Sequence, residues 1–289
     1  MRTSNKIQLA SAAALLATSS LTGISSGAVT VTTGNNATAL ANAIVGTGVT
    51  IVGTPTLFSR SALQQGTFVS SPSTIVGFDS GVILSTGRAD NAVGPNSDDG
   101  VLFGTQWNTT VDDSNTIPAV QRAFNPSPIV HRDANMLSFN FTVPANSGGL
   151  TVQYVFASEE YLEFVNTGFN DSFAFVVDGQ NIALLPNGTP VTIDTVNSTT
   201  NSGFYRNNTP IPGTIDIEYD GLTTVLTANV FAALNPNLST HSMTFSIADV
   251  GDAGWDSAVF IRADSFQVPE PTTLGLLAAA GAASLRRKR

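Results

Sequence analysis

Two runs of large apolar residues at period two, Val152-Tyr154-Phe156 and Phe173-Phe175-Val177, flank a loop crowded with oxygen-bearing side chains. Such alternation places one set of side chains on one face of an extended chain, and it marks half-buried strands rather than helices. The pattern recurs at 136–143, where Leu137, Phe139, Phe141 and Val143 alternate with Ser138, Asn140 and Thr142. Further strands are predicted at 49–52, 74–78, 81–85, 150–156, 172–177, 182–185, 191–196, 223–230, 242–248 and 257–266. Asp178-Gly179, Asn187-Gly188 and Asp220-Gly221 supply turns between them. Helical spacing is convincing over 35–45, where Asn36 or Thr38 caps the start, Leu40, Ala43 and Ile44 share a face, and Gly46 ends the run. The stretch 88–129 reads as long loops with one helical turn near 119–124. Many short alternating strands with little helix between them imply an all-β fold, an antiparallel β-sandwich of jelly-roll type with one short N-terminal helix. A second, hydrophobic helix is expected at the C-terminus.

The two ends carry their own signals. Arg2 and Lys6 precede an apolar run from Ile7 to Ala17, and a polar stretch follows that ends in Ser26-Gly27-Ala28. This is the layout of a secretory signal peptide over 1–28, with signal peptidase cutting before Val29. At the other end, Val268-Pro269-Glu270-Pro271 precedes the apolar run Leu274 to Leu285, and Arg286, Arg287, Lys288 and Arg289 close the chain. That run falls short of the ~20 residues a comfortable permanent span needs, and its basic end would stay on the cytoplasmic side. The motif, short apolar helix and basic cluster resemble the PEP-CTERM sorting signal. The resemblance implies that an exosortase recognises 268–289 as a sorting and anchor segment, processes the chain near the motif and passes it to the cell surface. A transient, membrane-anchored precursor is part of that expectation. The body between the two ends reads as one domain, 29–267.

Between Lys6 and Arg286 the chain holds six arginines, no lysine and 21 acidic residues, a balance of −15. A surface of that sign repels nucleic acid and anionic lipid and attracts cations. The chain also lacks cysteine, so an exported domain of this sequence is held by its core, with metal rather than disulfides as any added brace.

Two loops concentrate the polar chemistry. One carries Glu159, Glu160, Glu163, Asn170 and Asp171; the other, 248–257, carries Asp249, Asp252 and Asp256 with Gly251 and Gly254. Both read as hairpin loops, and they meet only if their leading strands run the same way. Glu159, Glu160, Asn170, Asp171, Asp249, Asp252 and Asp256 offer the oxygen ligands that a hard cation such as Ca²⁺ takes. The alternative is that these side chains cap turns and strand ends. Zinc is disfavoured, because only His131 and His241 could join a site without cysteine. Tyr161, Phe164, Phe169 and Trp255 could stack on a sugar ring or could tuck the loop onto the core. Glu160 or Glu163 with Asp256 could form a glycosidase pair, although many acidic pairs would fit as well. No G-x-S-x-G elbow is present.

The blocks FASEEYLEFVNTGFNDSFAF, NIALLPNGTPVTIDTVN, YDGLTTVLTA and IADVGDAGWDSAVF resemble the choice-of-anchor L domain family, as do the earlier GFDSGVILSTG and GPNSDDG. The likeness covers roughly 37–266. It implies a secreted bacterial surface domain found with different C-terminal anchors, of which a PEP-CTERM tail is one, and it supplies no catalytic residues. The resulting expectation is an exported, non-catalytic protein of the cell surface or extracellular matrix. The alternatives are a calcium-dependent module that binds extracellular polysaccharide and, more distantly, a glycoside hydrolase.

Overall fold

The computed structural model describes residues 28–97, 111–125, 129–144 and 149–268. The signal segment, the hydrophobic C-terminal helix and the sorting residues Pro269, Glu270, Pro271, Arg286, Arg287, Lys288 and Arg289 lie outside the described residues.

Two antiparallel sheets face each other. The larger runs in the order β1 (Ala28–Thr33), β3 (Gln65–Ser71), β4 (Ser80–Ser85), β13 (Ser257–Arg262), β6 (Thr151–Ser158), β10 (Gly221–Thr223) and β9 (Tyr205–Asn207), with β11 (Leu226–Asn229) also paired to β6. The smaller runs β2 (Thr50–Phe58), β5 (His131–Thr142), β12 (His241–Val250), β7 (Ser172–Val177) and β8 (Gln180–Asn181).

Period two decides what lies between the sheets. Val82 and Leu84, Val152, Tyr154 and Phe156, and Val259 and Ile261 face in from the larger sheet. Leu137, Phe139 and Phe141, Phe173, Phe175 and Val177, and Met243, Phe245 and Ile247 answer from the smaller one. The rings of Phe175 and Phe245, on neighbouring strands, lie 4.1 Å apart. The helix α1 (Ala37–Ile44) has Asn36 as its cap, accepting from the Ala39 amide at 3.0 Å, and turns Leu40, Ala41 and Ile44 into the same core.

The larger sheet is covered on its other face too. Val155, Ala157, Ala258 and Phe260 form a second apolar cluster beneath Ile75, Val76, Phe78, Ile217 and Tyr219. The predicted strand at 74–78 is in fact part of this cover. Pro72 and a left-handed Gly77 (φ +117) break the extended run, and its apolar residues bury from turns instead.

Other expected strands shorten for similar reasons. Around 191–196 the Thr195 hydroxyl accepts from the Thr192 amide at 2.9 Å, which closes a turn, while Ile193 and Val196 still bury. The 182–185 run contributes only an isolated pairing of Leu184 with Pro190. The 223–230 run splits into β10 and β11, and the last strand stops at Arg262, before a left-handed Asp264. The edge strand β1 and its neighbour β3 carry Thr- and Ser-rich sequence that period two alone did not single out.

The body begins and ends at one pole of the sandwich. Ala28 pairs with Ser71, and Gln267 pairs with Thr151 at the start of β6. Beyond β13, residues 264–268 lie along 43–47: the amides of Asp264, Phe266 and Val268 donate to the carbonyls of Ala43, Ile44 and Thr47, and the Gly46 amide donates to Phe266.

Replacing Phe175 by Ala removes the ring that meets Phe245 at the centre of the core, and the expected cost is about 3–5 kcal/mol in urea unfolding. A loss below about 1 kcal/mol would show that this core does not govern stability.

Candidate functional site

The two acidic loops are not hairpins. Residues 159–171 carry the chain from β6 in the larger sheet to β7 in the smaller, and 251–256 carry it back from β12 to β13. Register brings them together: Ser158 pairs with Ser257, and Ser172 pairs with Ala248. Both crossovers therefore sit at one pole, at the far end of β6 from residue 267.

At that pole the inward line of each strand changes from apolar to oxygen-bearing at the same level. Phe175 and Phe173 are followed by Asp171; Phe245 and Ile247 by Asp249; Tyr154 and Phe156 by Ser158; Val259 is preceded by Ser257, and Leu84 is followed by Thr86. The result is a polar layer that closes the core. The Ser257 hydroxyl lies 2.8 Å from that of Ser158, the Ser257 amide donates to Thr86 Oγ1 at 2.9 Å, and the Val250 amide donates to Asp171 Oδ1 at 2.8 Å. The smaller sheet adds Asp133. Asn135 pairs with Ile247 and Arg132 with Asp249, so Asp133 and Ala134 together oppose Ala248 in a bulge. Asp133 is left-handed there (φ +47), a conformation Asp tolerates.

Each candidate has a distinct place. Asp171 and Asp249 are fully buried, and Asp256 and Glu160 nearly so. Asp256 lies flat on the Cα of Gly87, where an added Cβ would stand 1.6 Å from its Oδ2. The Glu160 carboxylate accepts from the Asp171 amide at 3.3 Å. Glu159 follows the opposite line of β6, with Val155 and Ala157, and its charge reaches Tyr219 on the outer face, as does that of Asp256, which stands on the line of Ala258 and Phe260. The consecutive pair is thus split between the two sides of the sheet. Asn170 is a brace: its Nδ2 donates to Asn125 Oδ1 at 2.9 Å and its Oδ1 accepts from the Asp194 amide at 3.2 Å. Asp252 is half-buried at the rim and accepts from the Gly254 amide at 3.3 Å. Phe164 meets Trp255 at 4.9 Å and Phe169 at 5.6 Å, a cluster that tucks the first crossover onto the second. Tyr161 is buried against Tyr205.

Burial and mutual repulsion set the electrostatics. Burial first, then the charges of Asp171, Asp256 and Asp133, hold Asp249 well above the usual carboxylate range, with Thr86 opposing weakly. Asp256 is raised in the same way by burial and by Asp171 and Asp133. Burial lifts Asp171 to about 7 against the pull of Ser257, the Val250 amide and Asp249. Glu160 is also raised well above its ordinary value, by burial and then by Asp171. Among the described residues, no three Asp, Glu or His side chains as placed enclose an ion on their own. The residues a glycosidase would pair are not presented to a substrate, since Glu160 and Asp256 are buried and Glu163 faces solvent.

Two antiparallel sheets, with the two acidic crossovers at one pole and residues 28 and 268 at the other, define an all-β sandwich module. Residues 28–267 match the model of the Choice-of-anchor L domain, and residues 267–289 match that of the PEP-CTERM protein-sorting motif. The chain belongs to the choice-of-anchor L domain family. It is an exported, non-catalytic module destined for the cell surface, with an exosortase as its processing partner. No curated protein and no solved structure matches it.

A carboxyl group raised in the folded state keeps its proton there at pH values where the unfolded chain has lost it. Its stabilising effect is complete below the unfolded value and disappears as pH rises through the folded one. With Asp171 near 7 and Asp249 and Asp256 also raised well above the usual carboxylate range, the chelator-treated protein should melt several degrees lower at about pH 8.5 than at about pH 5.5. Equal melting temperatures in calorimetry would contradict the burial of these groups.

Proposed function

We propose that the transient precursor of this module is held with its acidic pole outward, carried by a tail that leaves from the opposite pole. The observation behind this reading is that Ala28 and Val268 lie at the same end of the sandwich, the length of β6 away from Asp171 and Asp249. On this reading signal peptidase cuts before Val29, leaving a mature chain whose first residues belong to β1. The segment 268–289 then holds a transient precursor in the inner membrane as a short hydrophobic helix, with Arg286 to Arg289 on the cytoplasmic side. Exosortase processing near Pro269-Glu270-Pro271 releases the body to the surface or matrix. We read the winding of the sandwich as jelly-roll-like.

Mass spectrometry of surface-released protein should find a C-terminus near the motif and no RRKR end. Serine in place of Arg286, Arg287, Lys288 and Arg289 should reduce correctly sorted protein several-fold, since the positive cluster fixes the orientation of the tail. An intact basic end on the mature protein would refute the processing scheme.

A groove supports a second reading, polysaccharide binding. It measures about 610 Å³ and opens between β8 and β11. Leu185 and Leu226 belong to the sandwich core and form its floor, with Phe204 and Leu184 on its walls and Gln180 and Thr227 at its rim. None of its lining residues is charged. Apolar walls with amide and hydroxyl groups at the rim suit a neutral sugar, whose ring faces are apolar and whose edges carry hydroxyls. Phe204→Ala should cut retention on neutral polysaccharide gels about tenfold. Retention that survives this change, or that is absent from the parent protein, would remove the reading.

A further inference from the structure

We propose that the polar layer at the acidic pole is a binding site for a hard divalent cation, Ca²⁺ foremost, with Asp171, Asp249 and Asp256 as its carboxylate ligands and Asp133 beside them. The first ground is position. Ala248 pairs with Ser172 in the antiparallel ladder, so Asp249 and Asp171 occupy the next facing pair. Side chains in such a pair start about 5 Å apart, and like charges there repel. Both belong to the inward lines of their strands, and both are fully buried.

The second ground is independent of the count of acids. Both carboxylate oxygens of Asp249, Oδ2 of Asp171 and Oδ2 of Asp256 are buried and make no hydrogen bond of acceptable geometry. Buried polar atoms in proteins nearly always have partners, because an unmet one loses its hydration with nothing in return. Three unmet oxygens of Asp249 and Asp171 on the inward lines, with Oδ2 of Asp256 at their edge and acted on by Asp171, therefore mark a place where something positive belongs.

Five of the body's six arginines are engaged away from this layer, and the sixth, Arg132, acts at its rim. Arg60 pairs with Asp113 and Arg88 with Asp90. Arg122 donates to the Ser114 carbonyl, Arg206 to that of Thr74, and Arg262 to Gln153. Arg132 acts on Asp112 and Asp252 at the rim. The body has no lysine to add.

The donor set fixes the class of cation. Carboxylates and hydroxyls without thiol are hard ligands, which favours Ca²⁺ over zinc or copper. The side chains as placed do not enclose an ion, but Ca²⁺ completes its 6–8 ligands with carbonyl oxygens and water. Two or three carboxylates then supply sufficient charge. The backbone already sets Asp171 and Asp249 one step beyond the Ala248–Ser172 pair, and rotation of the side chains would complete the set with Asp256. Of the seven residues suggested by sequence this assignment keeps Asp171, Asp249 and Asp256 and leaves out four: Glu160 accepts from the Asp171 amide and Asp252 stands half-buried at the rim. Asn170 braces Asn125 and Asp194, and Glu159 follows the outward line of Val155 and Ala157, whereas Asp256 interacts directly with Asp171 and Asp133.

A cation here would tie β7 and β12 of one sheet to the crossover entering β13 of the other. It would stabilise the folded chain as any ligand of the folded state alone does. The test uses the full chain in mild detergent at about pH 8, where protons compete least, treated with chelator and then with CaCl₂, MgCl₂ or NaCl. At a hundredfold excess over Kd, calcium should raise the melting temperature by roughly 5–10 °C, with NaCl ineffective. Asp249→Asn should remove the rise and leave the calcium-free melting temperature unchanged or higher, since one of two facing charges is gone. Should that variant not fold, Asp256→Asn should weaken calcium binding in equilibrium dialysis at least about tenfold. Three results would each overturn the site: no calcium response, which would mean that the layer holds protons alone; an equal response to NaCl; or undiminished calcium binding in Asp256→Asn.

Discussion

Ser158 pairs with Ser257 and Ser172 with Ala248, and these two matches fix where four central strands stop. In an antiparallel ladder a slip of one residue would turn every inward side chain outward, so the apolar lines ending in Phe156, Phe173, Ile247 and Val259 hold the register firmly. The oxygen-bearing residues beyond those lines have no freedom to go elsewhere. Asp171 and Asp249 reach the same level because Phe173 and Ile247 do. Hydrophobic registration thus assembles a polar layer that electrostatics alone would disperse.

That layer is costly in isolation. Several kcal/mol oppose the burial of each ionised carboxylate, and the large apolar surface enclosed by the two sheets offsets this. The surrounding hydrogen bonds show the same local demand. Ser158, Ser257 and Thr86 are short hydroxyl residues that fit between strand ends and bond to one another or to backbone amides. Gln64 and Asn135 span the gap from the side, with Gln64 donating to the Thr86 and Asp133 carbonyls and Asn135 to those of Gln64 and Ser85. The hydroxyls of Ser158, Ser257 and Thr86 are bonded, whereas Asp249, Asp171 and Asp256 carry unmet oxygens, as does Asn135 at its Oδ1.

Much of this could be read from the chain by following one rule further. Period two identified the strands through Leu137, Phe139 and Phe141 and through Phe173 and Phe175, and these do line the core. Continuing each inward line past its last apolar residue would also have picked out Ser158 and Thr86 and separated Glu159 from Glu160. Asp133 was beyond that rule. A bulge opposite Ala248 shifts its phase, and no local residue pattern announces the extra residue. The crossovers looked like hairpins because sequence shows that a strand ends and another begins, and does not show that the second lies in the other sheet. Apolar stretches such as Ile75-Val76 and Ile193 bury from turns, where Pro72, Gly77 and paired threonines override strand preference.

The strip formed by 264–268 against 43–47 bears on how the body withstands tension. Its bonds, from Asp264 to Ala43, Phe266 to Ile44, Gly46 to Phe266 and Val268 to Thr47, lie across the chain. A pull on the segment beyond Val268, directed away from the pole, runs along that strip. The bonds are then loaded in shear and together, whereas a zipper would yield them one by one. Phe266 adds an anchor, since its ring is buried 4.8 Å from that of Phe141 and must leave the core before the strip can slide. The module is thus fastened, by these four bonds and by Phe266, at the point where the precursor's tail would be tugged.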